Sequence, residues 1–191
     1  MSSKIKNWAL WGTGMSAAAL IAGGHFVAYT YLEPFLRGDV HLTSEAVSTT
    51  LAAYGVAGIL GTMIGEKLLG WNLKLGFSAV ALLASVAIAG AAAFDAVPVA
   101  AAVLVVIWGA AFGAVPLAVQ LWTYHAAPDR FEAGSALLVT IFQIALAGGA
   151  LIGGRIVDAA GARAAFSTGS GLALFCAIVI ATGLGVAGGR K

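Results

Sequence analysis

Apolar residues fill this chain in six stretches free of any charged side chain: 7–32, 46–65, 75–94, 96–128, 133–154 and 164–189. Each is at least twenty residues long, the length of helix that crosses the hydrocarbon core of a bilayer. The ten Lys and Arg residues and the eight Asp and Glu residues all fall in the gaps. An ionised side chain at mid-bilayer costs roughly 2.5–3.5 kcal/mol on insertion scales, so six membrane spans predict this confinement. Lipid offers backbone amides no partner, which restricts spanning segments to helices and closed barrels. The short alternating strands of a barrel do not occur. The pattern predicts an all-α membrane protein, a single domain over residues 1–191 with six transmembrane helices.

The spans are related in threes. Thr30-Tyr31 near the end of span one is echoed by Thr123-Tyr124 at the end of span four, and Pro34 and Pro128 follow the two pairs. "GTMIGEKLLG" (61–70) ends span two and "GALIGGRIVD" (149–158) ends span five, which pairs Gly61 with Gly149, Gly65 with Gly153 and Lys67 with Arg155. "KLGFS" (74–78) opens span three and "RAAFS" (163–167) opens span six. The offsets, 93, 88 and 89 positions, point to a duplicated three-helix unit, repeat one about 8–94 and repeat two about 97–187. An odd number of spans per unit inverts the second copy, an arrangement of secondary transporters whose binding site lies near the repeat interface. Chance likeness among Gly- and Ala-rich helices is the plainer alternative. Glycines at four-residue spacing in spans two and five predict close backbone packing.

Composition agrees: 61% of residues are apolar and 9% charged, where a soluble domain carries about a quarter charged. With the N-terminus inside, Lys4, Lys6, Lys67, Lys74, Arg130, Arg190 and Lys191 are cytoplasmic and only Arg37, Arg155 and Arg163 lie outside. That bias predicts that both termini are cytoplasmic. The first apolar run is too long for a signal peptide and reads as a retained span. Cys176 is alone, so it forms no intramolecular disulfide and reads as a small packing residue.

"GHFVAYTYLEPFL" followed by "LAAYGVAGILGTMIG" resembles the seventh and eighth helices of Major Facilitator Superfamily transporters. "WGAAFGAVPLAVQLW" and "FQIALAGGALIGGRIVDAAG" resemble the tenth and eleventh helices of their drug and sugar efflux permeases, of the arabinose-efflux type. The resemblance covers about residues 8–187 and matches only the C-terminal six-helix half of that twelve-helix pattern. It implies half of a Major Facilitator fold in the bacterial cytoplasmic (inner) membrane. There, spans one and four line a central cavity, two and five flank it, and three and six face lipid.

The polar residues fit that placement. Spans three and six hold little beyond Ser, Thr and Cys, whereas spans one, four and five hold His25, Tyr29, Gln120 and Gln143, the candidate substrate-binding residues. His25, Tyr29 and Glu33 recur every four residues and so share a helix face. His25 can change charge near neutral pH, and with Glu33 it is a candidate for proton coupling. A neutral histidine bonded to a neighbouring helix and a solvated Glu33 cap are the plainer readings. Span four carries its own stripe, Phe112, Pro116, Gln120 and Tyr124, in which Pro116 permits a kink. Tyr31 and Trp122, near opposite mouths, are gating candidates together with Pro116, and Tyr31 also suits an interfacial aromatic belt. Gln143 can read a hydroxyl or amide through its donor and acceptor, or bond another helix.

No H-E-x-x-H, G-x-S-x-G or Walker lysine motif occurs, and no basic cluster with interleaved aromatics suggests nucleic acid. No catalytic residue, metal or cofactor is called for, so an enzyme is not expected. The expected partners are the bilayer, a small-molecule substrate, and a missing N-terminal half or a second copy. The resemblance implies proton-coupled efflux of a sugar or drug by rocker-switch alternating access. A truncated or accessory membrane protein with no autonomous transport, acting only by packing with a partner, and a half-transporter working as a homodimer are the alternatives.

Overall fold

A computed structural model describes residues 3–183, with side chains from residue 8 onward. Arg190 and Lys191, counted above toward the charge bias, lie outside the described residues, as does the end of the second repeat. Eight α-helices occur among the described residues. They are α1 (Ser3–Tyr29), α2 (Leu32–Gly38), α3 (Ser44–Trp71), α4 (Leu73–Ala93), α5 (Pro98–Gly113), α6 (Val115–Ala126), α7 (Phe131–Ala160) and α8 (Ala162–Thr182). A single 3-10 turn, Pro128–Arg130, precedes α7.

The chain is an all-α membrane protein. Five helical segments are long and apolar enough to cross a bilayer, α5 and α6 counting together, and α1 with α2 makes a sixth segment, bent by 40° at its break. The helix ends follow local chemistry. Thr43 accepts from the Ala46 N–H at 3.3 Å to start α3, and Asn72 accepts from the Leu75 N–H at 3.0 Å to start α4. Both satisfy a backbone donor that has no partner in the first turn. Pro98 opens α5 where its missing N–H costs nothing. Gly161, at φ 82°, turns the chain between α7 and α8, a conformation that a Cβ would oppose.

Helix pairing has the exchange symmetry of a duplicated unit. α1 packs against α7 and α8, as α5 packs against α3 and α4, while α4 and α8 pack against each other. Corresponding helix ends repeat at nearly constant spacing. α4 and α8 start at Leu73 and Ala162, 89 positions apart, as the Lys74 and Arg163 match requires. α1 and α5 end at Tyr29 and Gly113, only 84 apart, and a short helix follows each break. Thr30-Tyr31 lies at the break after α1, and the corresponding break after α5 is at Ala114 rather than at the Thr123-Tyr124 pair. That second pair lies at the far end of α6, beyond the helix break that Pro116 adjoins.

The cations of that match also correspond in space. Arg163, at the start of α8, pairs with Asp95, just past the end of α4. Lys74, at the start of α4, donates to the Gly183 carbonyl just past the end of α8, at 2.8 Å. The two helices thus run antiparallel and are tied at both ends. Between the ties, the Ser85 hydroxyl donates to the Ser170 carbonyl at 2.9 Å.

α4 and α8, expected to face lipid, are exposed on one side only. Leu82, Leu83, Val86, Leu174, Phe175 and Ile178 are exposed, while Phe77, Ala84, Ile88, Phe166, Ala173 and Ile180 are buried. The helices that flank them in sequence pack through glycine. A Cβ on Gly61 would enter the Ala110 backbone, and one on Gly113 would meet the Gly58 carbonyl, so α3 and α5 touch backbone to backbone. α7 approaches α1 in the same way, with Gly149 against Phe26 and Gly153 against the Val27 carbonyl. Gly55 and Gly148 meet nothing, so those two glycines serve no seam. Cys176 is buried, with its thiol 3.5 Å from the Ala17 carbonyl of α1.

Candidate functional site

His25 lies one turn before the end of α1 and is 4% exposed. Its ring faces span four, as a shared face with Tyr29 allows. The imidazole stacks on Phe112 of α5, with centroids 3.3 Å apart and planes 5° apart. It also stacks on Tyr29 at 4.8 Å and meets the edge of Trp108 at 5.3 Å. Tyr54 of α3 closes the group, 5.3 Å from Tyr29 and 5.6 Å from Trp108. Five aromatic rings from α1, α3 and α5 thus meet beside two helix breaks, at Thr30–Tyr31 and at Ala114.

Burial does not silence the polar atoms of this cluster. His25 Nδ1, Trp108 Nε1 and the Tyr54 hydroxyl have no hydrogen-bond partner among the described residues. An unmade hydrogen bond on a buried group costs about 1–3 kcal/mol. Elsewhere in the interior the Trp122 indole donates to the Leu10 carbonyl at 2.9 Å and Thr123 donates to its own helix, whereas Trp11 Nε1 and Ser135 Oγ are without partners as the cluster atoms are. Tyr29 stays 39% exposed, so the cluster has an open edge.

The remaining candidates separate. Gln120 and Pro116 are exposed on one face of α6 with Tyr124, which continues the predicted stripe from Phe112. Trp122 points the other way and is fully buried, its N–H held by α1. Gln143 is exposed near the middle of α7. Neither glutamine shares the ring cluster of His25. The Tyr31 hydroxyl donates to the Ala150 carbonyl of α7 at 2.7 Å, which pins the break after α1 to that helix. Glu33 is exposed and bonds Arg37 at 2.9 Å, the geometry of a surface i,i+4 pair rather than of contact with His25.

Trp108 and Tyr54 are the cluster residues that helical spacing does not single out, whereas Phe112 heads the stripe predicted along span four. Their signal lay in being aromatic on the helices predicted to line or flank a cavity. A separate cavity of about 460 Å³ lies toward the other end of α1, between Trp8, Trp11, Pro128, Asp129 and Arg130. None of the predicted binding residues lines it.

The chain is similar to the purine ribonucleoside efflux pump NepI of Salmonella paratyphi B (strain ATCC BAA-1250 / SPB7), with 27% identity over 168 residues, 88% of this chain and 42% of that protein. NepI of Salmonella typhimurium (strain LT2) matches to the same extent. The transcription regulatory protein OpdE of Pseudomonas aeruginosa is 28% identical over 166 residues, 87% of this chain and 41% of OpdE. The chain spans less than half the length of these relatives. NepI is named as an efflux pump, and the similarity does not single out the arabinose-efflux group. No family model matches the chain.

Proposed function

We propose that this chain forms one half of an efflux transporter of the Major Facilitator type, exporting a small molecule across the bacterial inner membrane. Its similarity to NepI over most of its length supports the class. The observation that carries the reading is Gln143, an uncharged amide exposed near the middle of a membrane-spanning helix. Facing acyl chains, such a group loses its hydrogen bonds. Facing a polar pathway or a second half, it keeps them. Gln120 on α6 is open in the same way.

In this reading His25 and Tyr29, with Gln120 and Gln143, border the solute. Tyr31, Trp122 and Pro116 belong to the moving ends of spans one and four. A proton gradient drives the cycle, with His25 its carrier ahead of Glu33, and both termini lie in the cytoplasm. The glycine seams let α3 and α7 rock against α5 and α1. A missing N-terminal half supplies the other wall of the pathway, and a second copy of the chain is the alternative supplier. The solute is a sugar, a drug or a nucleoside, the last being the cargo named for NepI.

The test is retention of a fluorescent efflux substrate and of radiolabelled adenosine in pump-deficient cells. The chain is expressed alone and together with the N-terminal half of NepI. Faster loss of either probe with both halves present, reversed by Gln143→Leu at equal membrane abundance, is the expected result. Retention unchanged in every combination, with insertion verified, would remove the transport reading. The second reading is a truncated or accessory membrane protein with no transport of its own, acting only by packing with a partner. Under that reading neither probe moves, and the chain co-purifies with a membrane partner regardless of residue 143.

A further inference from the structure

The cavity of about 460 Å³ at the end of α1 remote from His25 is walled by the ends of three spans. Trp8 lies at the start of the first charge-free run, Pro128 at the end of the fourth and Ala133 at the start of the fifth, and all three line it. The cavity therefore sits where apolar helix gives way to water, at the depth of lipid head groups and of interfacial tryptophans. Its volume falls within the roughly 300–1,000 Å³ of small-molecule sites. Beside it the Trp122 indole donates to the Leu10 carbonyl at 2.9 Å, which holds α1 to α6.

The walls carry one charge of each sign and two indole rings. Asp129 and Arg130 both line the cavity and both are exposed. Among the described residues neither is ion-paired; the pairs are Glu33–Arg37 and Asp95–Arg163. Trp8 and Trp11 lie one turn apart on α1 and line the same cavity, and Trp8 is 69% exposed. Indole faces attract cations, as a carboxylate does. A guanidinium takes phosphate.

Few molecules at that depth answer all of this. An acyl chain fills space and leaves both charges unmet. An anionic head group suits Arg130 but brings no positive charge for Asp129. A simple cation suits Asp129 and the indoles but is repelled by Arg130. A zwitterionic head group carries both charges a few atoms apart, and Asp129 and Arg130 are adjacent in the chain. We propose that the cavity seats one zwitterionic phospholipid of the ethanolamine type, its ammonium against Trp8, Trp11 and Asp129 and its phosphate against Arg130. The lipid bridges the start of span one and the turn that joins spans four and five. The site is separate from the ring cluster, and it stands whatever the chain exports and whether or not it exports.

Lipid that stays with the purified full chain tests the site. The chain is released from nanodiscs of equal phosphatidylethanolamine and phosphatidylglycerol, and bound lipid is weighed by native mass spectrometry. One retained phosphatidylethanolamine, several-fold over phosphatidylglycerol, is the expected result. Asp129→Asn and Arg130→Gln each remove one charge partner and should cut retention about fivefold. Trp8→Leu keeps an apolar wall without the π-face and should cut it about threefold. Lys67→Gln removes a cation that does not line the cavity and should retain lipid as the unaltered chain does. All four side chains are exposed, so the variants should melt as the unaltered chain does. Phosphatidylglycerol retained equally or in preference overturns the zwitterionic occupant. Equal loss in Arg130→Gln and Lys67→Gln means general charge attraction and overturns the site, as does retention of no lipid. If the chain that keeps no lipid binds O-phosphoethanolamine, the cavity belongs to a soluble zwitterion instead.

Discussion

α3 and α7 cross the membrane beside α4 and α8, and the two pairs do so in different ways. α4 buries side chains along its whole length, from Leu73 and Phe77 to Ile88 and Ala91, and α8 does likewise from Phe166 to Ile180. α3 and α7 bury fewer residues: glycines at their mid-helix contacts, Gly61, Gly65, Gly149 and Gly153, and a few larger side chains nearer their ends, Val47, Leu69 and Leu138. Their large residues turn outward: Ile59, Leu60, Met63 and Ile64 on one, Ile144, Leu146, Leu151 and Ile152 on the other. All four helices are apolar enough to span a bilayer. The contrast shows that apolar character decides whether a segment spans, whereas residue size decides how it meets its neighbours. Wide interdigitation makes α4 and α8 a spine. Backbone seams through glycine leave α3 and α7 with broad exposed apolar faces.

The sharpest way to break that contrast is to fill a seam. In Gly61→Leu the new side chain must displace the Ala110 backbone, which cannot yield as a side-chain tip can. Overpacking typically costs about 1–3 kcal/mol and more where backbone is met, so the expected outcome is loss of the folded monomer on size exclusion in detergent. Gly148→Leu, with open space around it, should leave the elution profile and melting temperature unchanged. Equal damage from both would mean that the seams are no tighter than the rest of α3 and α7.

The spine is tested at its two ends. The ties are equivalent in position but not in chemistry: a carboxylate at one end, a helix-terminal carbonyl at the other. Asp95 is 4% exposed while its partner Arg163 is 61% exposed, so solvent screens the pair from one side. Asp95→Ala should lower stability by about 1–2 kcal/mol, between surface and buried pairs. Lys74→Met removes a single charge-assisted hydrogen bond and should cost about 1 kcal/mol or less. Thermal unfolding of the two variants in one detergent decides the order. If Lys74→Met is the more damaging, the carboxylate is not the stronger tie.

The spans were plain in the sequence because charge is excluded from lipid at a cost of kilocalories per residue, and no packing detail can disguise it. Asp95 alone separates the third run from the fourth, and α4 ends two residues before it. The face shared by His25 and Tyr29 was equally legible, because helical spacing fixes which side chains sit together. What spacing cannot supply is the neighbour across the gap. Trp108 and Tyr54 join His25 only once α1, α3 and α5 assemble. The Thr-Tyr pairs sit differently for a related reason: Thr30-Tyr31 follows the break after α1, whereas Thr123-Tyr124 lies within α6, past the break at Ala114.

The smallest expected effect on stability bears most directly on the open faces. Gln143 on α7 is exposed and touches neither seam nor spine. Replacing it by leucine should change the melting temperature of the isolated chain little, within the ±0.5 kcal/mol usual for surface sites. If α7 turns this face to lipid alone, leucine should stabilise the chain in nanodiscs, because an apolar side chain replaces an amide in hydrocarbon. If the face borders a polar pathway, the same change should leave stability as it was and reduce export when both halves are present. Melting in nanodiscs and flux in cells, measured on one variant, therefore give opposite patterns for the two surroundings of α7. A gain in stability with no loss of flux would place Gln143 against lipid and take the pathway away from this helix.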